Sequence, residues 1–264
     1  MLDYHLHTKL CGHAVGEIEA YVAHAVTQPL QEIGFADHLP MLKWAQPTSA
    51  MSFEDLPQYV ANVRRVQQMY PNLPIKLGIE ADYYSAAEEA ATRALLEQHP
   101  FDYVYGSVHF VDDWAIDDPS NLARWAEVGV DVVYERYFLG LQAAARSRLF
   151  DIMAHTDLVK KFGHTPTRDF SALIDQTLRC YRECGVAVEI NTSGLRRPAR
   201  EIYPAPAILQ LLKRYEIPLV FGSDAHQPDE VGKDFALAQG IAKTHGLTHG
   251  VIFEQRRIVG TFAW

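Results

Sequence analysis

Residues 1–13 read Met1-Leu2-Asp3-Tyr4-His5-Leu6-His7-Thr8-Lys9-Leu10-Cys11-Gly12-His13, and they decide which α/β architecture the chain takes. The first β-rich run, Leu2–Leu6, is followed by helix-like sequence over residues 17–27. Such a start opens either a doubly wound open sheet or a parallel barrel. The open sheet favours a glycine-rich phosphate or dinucleotide loop after its first strand. Neither GxGxxG nor GxxxxGK[ST] follows Leu6; a histidine pair does. Side chains two residues apart on an extended segment point the same way, so His5 and His7 form a two-ligand clamp on one side of the strand.

Outward from this segment the alternation continues. β-rich runs over residues 32–36, 75–81, 103–108, 150–154, 186–190 and 218–221 are interleaved with helix-like stretches over 86–98, 122–148, 171–184, 205–215 and 233–245. About seven strand–helix units in a chain of this length argue for a parallel sheet wrapped into a closed or nearly closed barrel with helices outside. No Ser/Gly-rich linker, low-complexity run or fixed-period repeat interrupts the pattern. One domain over residues 1–264 is the expectation.

In a parallel barrel the strand ends share one face. Reading only those ends yields His5 and His7, then Asp37-His38, Glu80, His109, His155, and finally Asp224 with His226. Asp224-Ala225-His226 repeats the spacing of the first pair. Taken singly, most of these read as ordinary polar residues, and His13 on the loop Gly12-His13-Ala14 as least remarkable of all. Glu80 is different, because an unpaired carboxylate inside the apolar run 75–81 is costly. Together they are a convergence of imidazoles and carboxylates, the donors that suit zinc, manganese and iron.

Composition narrows the function classes. Of 264 residues 48% are hydrophobic, ample for a core, while 24 Lys+Arg against 33 Asp+Glu leave a net charge of −9, so a nucleic-acid partner is not expected. No segment approaches the ~18 consecutive apolar residues of a membrane span, and residues 1–13 lack a basic stretch followed by an apolar one; a cytoplasmic protein without a membrane partner is expected. Three cysteines, Cys11, Cys180 and Cys184, without a CxxC spacing support neither a disulfide framework nor a zinc knuckle. Twelve histidines are about twice ordinary usage and call for a cause.

These motifs resemble the polymerase and histidinol phosphatase (PHP) superfamily of metal-dependent phosphoesterases. The resemblance rests on Asp3-Tyr4-His5-Leu6-His7-Thr8 with His13, Gly34-Phe35-Ala36-Asp37-His38, Gly78-Ile79-Glu80-Ala81-Asp82, Gly106-Ser107-Val108-His109, the run Asp151 to Leu158, and Gly222-Ser223-Asp224-Ala225-His226. Within the superfamily the chain is most similar to histidinol-phosphate phosphatases, through Asp157-Leu158-Val159-Lys160-Lys161-Phe162, the run Glu189 to Arg196, and Tyr203-Pro204. The resemblance implies a distorted (β/α)7 TIM-like barrel with three divalent ions. His5, His7, Glu80 and Asp224 would hold one, Glu80, His109 and His155 the second, and His13, His38 and His226 the third, with Glu80 bridging. Seven of the twelve histidines are then accounted for, and three dications bring the charge of −9 to about −3.

The reaction so implied is hydrolysis of a small phosphate monoester, L-histidinol phosphate, by water activated between two ions. Glu80, Asp224 and His226 are the catalytic candidates, with Asp224 or a neighbouring histidine protonating the leaving oxygen. Arg196 and Lys160 are candidates for the phosphate, with Arg197 and Lys161 as alternatives of register. Asp82, Tyr83 and Trp44 are loop residues considered for the remainder of the substrate. Competing readings are a phosphoesterase of nucleotides or other small esters, a non-catalytic module, and a metal-dependent amidohydrolase. The second would be expected to lose ligands and the third to order them differently.

Overall fold

The computed structural model describes residues 1–43 and 49–264, so Trp44 lies outside the described residues. Seven strands form one parallel sheet: β1 (Leu2–Leu6), β2 (Glu32–Phe35), β3 (Ile75–Asp82), β4 (Tyr103–Ser107), β7 (Ile152–Met153), β8 (Ala187–Asn191) and β9 (Leu219–Gly222), in that spatial order. The two outermost strands meet just beyond β9, where His7 N–H donates to Ala225 O (3.0 Å) and Ala225 N–H to His5 O (3.2 Å). The sheet is therefore a near-closed barrel. Its strands are buried almost throughout, as expected where both faces are covered.

A helix follows every strand. They are α1 (Ile18–Thr27), α2 (Leu56–Met69), α3 (Glu89–Leu96), α4 (Leu122–Val128) with α5 (Val130–Arg146), α6 (Ser171–Cys184), α7 (Pro206–Arg214) and α8 (Phe235–Thr244). The sequence reading gave no helix between the second and third strands. α2 stands there on a narrow stripe, Leu56, Tyr59, Val63 and Val66, set in an otherwise polar segment. It also gave one helical region over 122–148. The chain instead breaks at Gly129, whose φ of +92° ends α4 and allows α5 to start in a new direction. Among the described residues no helix is long and apolar enough to cross a membrane.

Two antiparallel hairpins complete the fold. The short pair β5 (Phe110–Val111) and β6 (Trp114–Ala115) stands beside the C-terminal face of the barrel. The pair β10 (His249–Glu254) and β11 (Arg257–Ala263) lies under the opposite end. There Val251, Phe253 and Phe262 join Leu2, Tyr4, Tyr103, Tyr105 and Val220 in a second apolar cluster, and Arg256 pairs with Asp151 (2.7 Å).

The barrel interior holds aromatic rings. Tyr4 stacks on Tyr103 (4.7 Å between centroids), and the Tyr103 ring occupies space left by Gly34, where a Cβ would lie 2.9 Å from Cζ. The pairing of β1 with β2 shifts register between Asp3 and Leu6. Both Tyr4 and His5 consequently reach the interior, Tyr4 below against Tyr103 and His5 above, stacked on Tyr105 at 4.6 Å. The floor of the site is thus set by side chains one residue apart.

Candidate metal centre

The strand ends, with the loop that carries His13, bring all nine sequence-selected ligand candidates to the C-terminal face, clustered round Glu80. Its Oε2 lies 3.2 Å from His5 Nε2, 3.1 Å from His38 Nδ1 and 3.6 Å from His7 Nε2. Its Oε1 lies 3.1 Å from His155 Nε2 and 3.8 Å from His109 Nε2, and also accepts the Ser107 hydroxyl. Asp224 Oδ1 stands 3.2 Å from His7 Nε2, and His13 Nε2 is 3.0 Å from His226 Nε2. Donor atoms of His5, His7 and Glu80 lie within 4.8 Å of one another, as do those of His38, Glu80 and His109, and those of His7, His38 and His226. His38 therefore sits between the groups rather than with His13 alone.

Backbone geometry aims several of these side chains. His155 and Asp224 take φ of +49° and +53°, a region costly for residues with a Cβ and commonest at functional positions. Gly222 lies where a Cβ would fall 2.7 Å from His5 Cβ, so the strand beside the clamp must be bare at that point.

Behind the imidazoles stands a shell of acceptors. His5 Nδ1 meets Glu189 Oε1 at 2.6 Å, His109 Nδ1 meets Asp82 Oδ1 at 2.8 Å, and His7 Nδ1 meets Asp37 Oδ1 at 3.4 Å. The Nδ1 atoms of His13 and His226 face the carbonyls of Cys11 and Asp224, each at 3.1 Å. An acceptor at Nδ1 fixes the tautomer and turns Nε2 toward the cluster, the usual arrangement behind metal-ligating histidines. Glu189 and Asp37 are fully buried; the sequence reading counted Asp37 among the converging strand-end donors without giving it a ligand position, and gave Glu189 no role.

The electrostatics fit cation binding. Burial pushes the Glu80 and Asp224 carboxyls up, but His38 and His5 at Glu80, and His5, His7 and His226 at Asp224, outweigh it and hold both well below the ordinary carboxylate range. Burial, aided by neighbouring imidazoles, holds His38 and His226 well below the usual histidine value, so both are neutral donors. Burial also opposes charge on His5 and His7. It is overcome by Glu189, Glu80 and Asp224 at His5, and by Asp224, Asp37 and Cys11 at His7, which raise both well above the usual value. Buried His7 Nε2 nonetheless has no hydrogen bond of acceptable geometry among the described residues. A buried Glu80 and a half-buried Asp224, both ionised and ringed by imidazoles with a misdirected donor atom, are a ligand set for hard to borderline dications.

A family model described as PHP domain matches residues 3–193. The chain belongs to the PHP domain family. A second model, PHP-associated, matches residues 207–235. The PHP chain is 40% identical over 237 residues to a Deinococcus radiodurans protein named "Probable histidinol-phosphatase", covering 89% of this chain and 90% of that one. It is 30% identical over 254 residues to the histidinol-phosphatase of Bacillus subtilis, with coverage of 87% and 95%. The crystal structure of a histidinol phosphate phosphatase from Lactococcus lactis, complexed with zinc, L-histidinol and phosphate, superposes with a TM-score of 0.82 at 22% identity, covering 97% of this chain and 98% of that one. The near-closed seven-stranded TIM-like barrel is thus the fold of that neighbour as well.

Above the PHP centre opens a cavity of about 390 Å³. The sequence reading favoured Lys160 and Arg196 on its wall, and the structure places neither there. Lys160 Nζ is occupied by Glu201 (2.6 Å), Asp157 (2.8 Å) and Ile202 O (2.9 Å). Arg196 donates to Ser223 O (2.7 Å) and pairs with Glu230 (3.2 Å). Both tie loops together. The alternatives of register, Lys161 and Arg197, line the cavity. Lys161 Nζ is held by Asp117 through Oδ2 (3.0 Å) and the carbonyl (2.9 Å). Of the loop residues considered for the substrate, Asp82 lines the cavity beside His109, whereas Tyr83 is buried with its hydroxyl on Glu89 (3.1 Å).

Proposed function

We propose that this PHP protein is a metal-dependent phosphomonoesterase that hydrolyses L-histidinol phosphate to L-histidinol and phosphate. The observation that carries the chemistry is the convergence of seven imidazoles, Glu80 and Asp224 beneath a cavity walled by Lys161 and Arg197. The similarity to two histidinol-phosphatases over most of the chain supports the choice of substrate.

In this reading His5, His7, Glu80 and Asp224 hold one ion, Glu80, His109 and His155 a second, and His13, His38 and His226 a third, zinc, manganese or iron. Divalent ions there supply charge for the transferring phosphoryl oxygens and lower the pKa of a nucleophilic water toward neutrality. Glu80 offers one carboxylate oxygen to each side of the cluster, and Glu189, Asp82 and Asp37 keep the imidazoles oriented. Lys161 and Arg197 hold the phosphate, and the Arg197 guanidinium has no acidic partner among the described residues. Asp224, fixed by Ser193 Oγ (2.9 Å), and His226 beside it line the cavity, where either would take a proton from the attacking water and hand it to the leaving oxygen. Three free thiols accord with a reducing compartment, and we place the protein in the cytoplasm. Turnover of L-histidinol phosphate against a nucleotide panel by the same purified protein tests this function.

A further inference from the structure

The cavity wall carries carboxylates that do not belong to the central cluster, and their commitments differ. Asp82 Oδ1 accepts from His109 Nδ1 (2.8 Å). Asp117 is bound to Lys161 through both its side chain and its carbonyl (3.0 and 2.9 Å). Asp118 differs in having no cationic partner among the described residues: its Oδ1 accepts the Ser120 N–H (2.8 Å), which fixes the side chain and leaves its charge unpaired. Pro119 follows it on the wall, and Met41 and Phe110 supply apolar surface in the same cavity. The pocket therefore combines two cations for a phosphate with one positioned, unspent carboxylate and an apolar face.

That layout suits a molecule with a phosphate at one end, a cation at the other and a flat ring. Resting on the function proposed above, we infer that Asp118 receives the primary ammonium group of the substrate. It thereby selects phosphate esters of amino alcohols over esters that lack the amine. The amine is cationic near neutral pH, and a fixed carboxylate in a partly enclosed pocket recognises it through a charge-assisted hydrogen bond. Asp118 is a specificity residue in this account and takes no part in phosphoryl transfer.

The test uses the metal-loaded full chain and its Asp118→Asn variant, which retains Oδ1 for Ser120 and loses only the charge. Two ratios are read on each protein. One is kcat/KM for L-histidinol phosphate over that for its analogue lacking the amine. The other is the inhibition constant of L-histidinol, which carries the ammonium without phosphate, over that of inorganic phosphate. Each ratio compares two ligands on one sample, so a loss of folded or loaded protein cancels. The assignment predicts that the substrate ratio falls about tenfold or more and the inhibitor ratio rises by a similar factor, with the change in KM rather than kcat. Unchanged ratios with wild-type protein that does prefer the amine would overturn the Asp118 assignment alone. Wild-type protein that neither turns over L-histidinol phosphate nor binds L-histidinol would overturn it together with the function on which it rests.

Discussion

His5 Nδ1 lies 2.6 Å from Glu189 Oε1, with both side chains wholly buried and 184 residues apart in sequence. The contact locks the tautomer and orientation of the first histidine of the clamp, so that Nε2 faces Glu80. Glu189→Gln keeps the size of the side chain and removes its charge. We expect a 10- to 100-fold loss of metal affinity by competition with a chromogenic chelator. Undiminished affinity would show that His5 does not depend on Glu189.

Among the described residues Glu80 is the one carboxylate with an oxygen on each side of the cluster, and it is held ionised there. Glu80→Ala should leave purified protein with less bound metal by elemental analysis and no detectable metal-dependent phosphatase activity. Full metal content with full turnover would contradict the bridging role.

The paired cations separate binding from architecture. Lys161→Ala and Arg197→Ala should raise KM for a phosphate monoester about tenfold or more while metal content is retained. Lys160→Ala leaves Asp157 buried without its cation and should cost about 3 kcal/mol of stability by denaturant unfolding, with little change in KM. The reverse pattern, a KM effect at 160 and none at 161, would restore the other register.

The pH dependence follows from His5 and His7, both raised in the metal-free fold. Their protonated forms contribute stability that is fully present below the ordinary histidine value of about 6.5 and is lost as pH rises through the raised values. A dication replaces those protons, so its uptake releases protons and its affinity grows with pH. Chelated protein should lose melting temperature as pH rises above about 6.5, and loaded protein should not. Identical profiles for the two forms would contradict this coupling.

The candidate cluster was largely legible in the sequence because a parallel barrel gathers its strand ends, and every ligand candidate but His13, which lies on the loop after β1, is at such an end. Glu189 was quoted in a motif but given no role, since it sits within an otherwise apolar run, 186–190. Its burial carried the same signal as Glu80, an acid where none is tolerated unpaired. The choice between Lys160 and Lys161, or Arg196 and Arg197, was out of reach because each pair sits at a 3₁₀ turn. At three residues per turn, one step swings a side chain about a third of the way round. The hairpin of β10 and β11 gave no signal, because its turn places Gln255 and Arg256 at φ of +47° and +64° without the glycine or asparagine that marks such turns.

The central claim is tested most directly by phosphate release from L-histidinol phosphate, measured beside a nucleotide panel, before and after chelation, with elemental analysis of the same sample. The account predicts turnover that strongly prefers L-histidinol phosphate, disappears as the divalent metal is removed and returns when it is restored. Activity that survives complete metal removal, or that is confined to nucleotides, would contradict it.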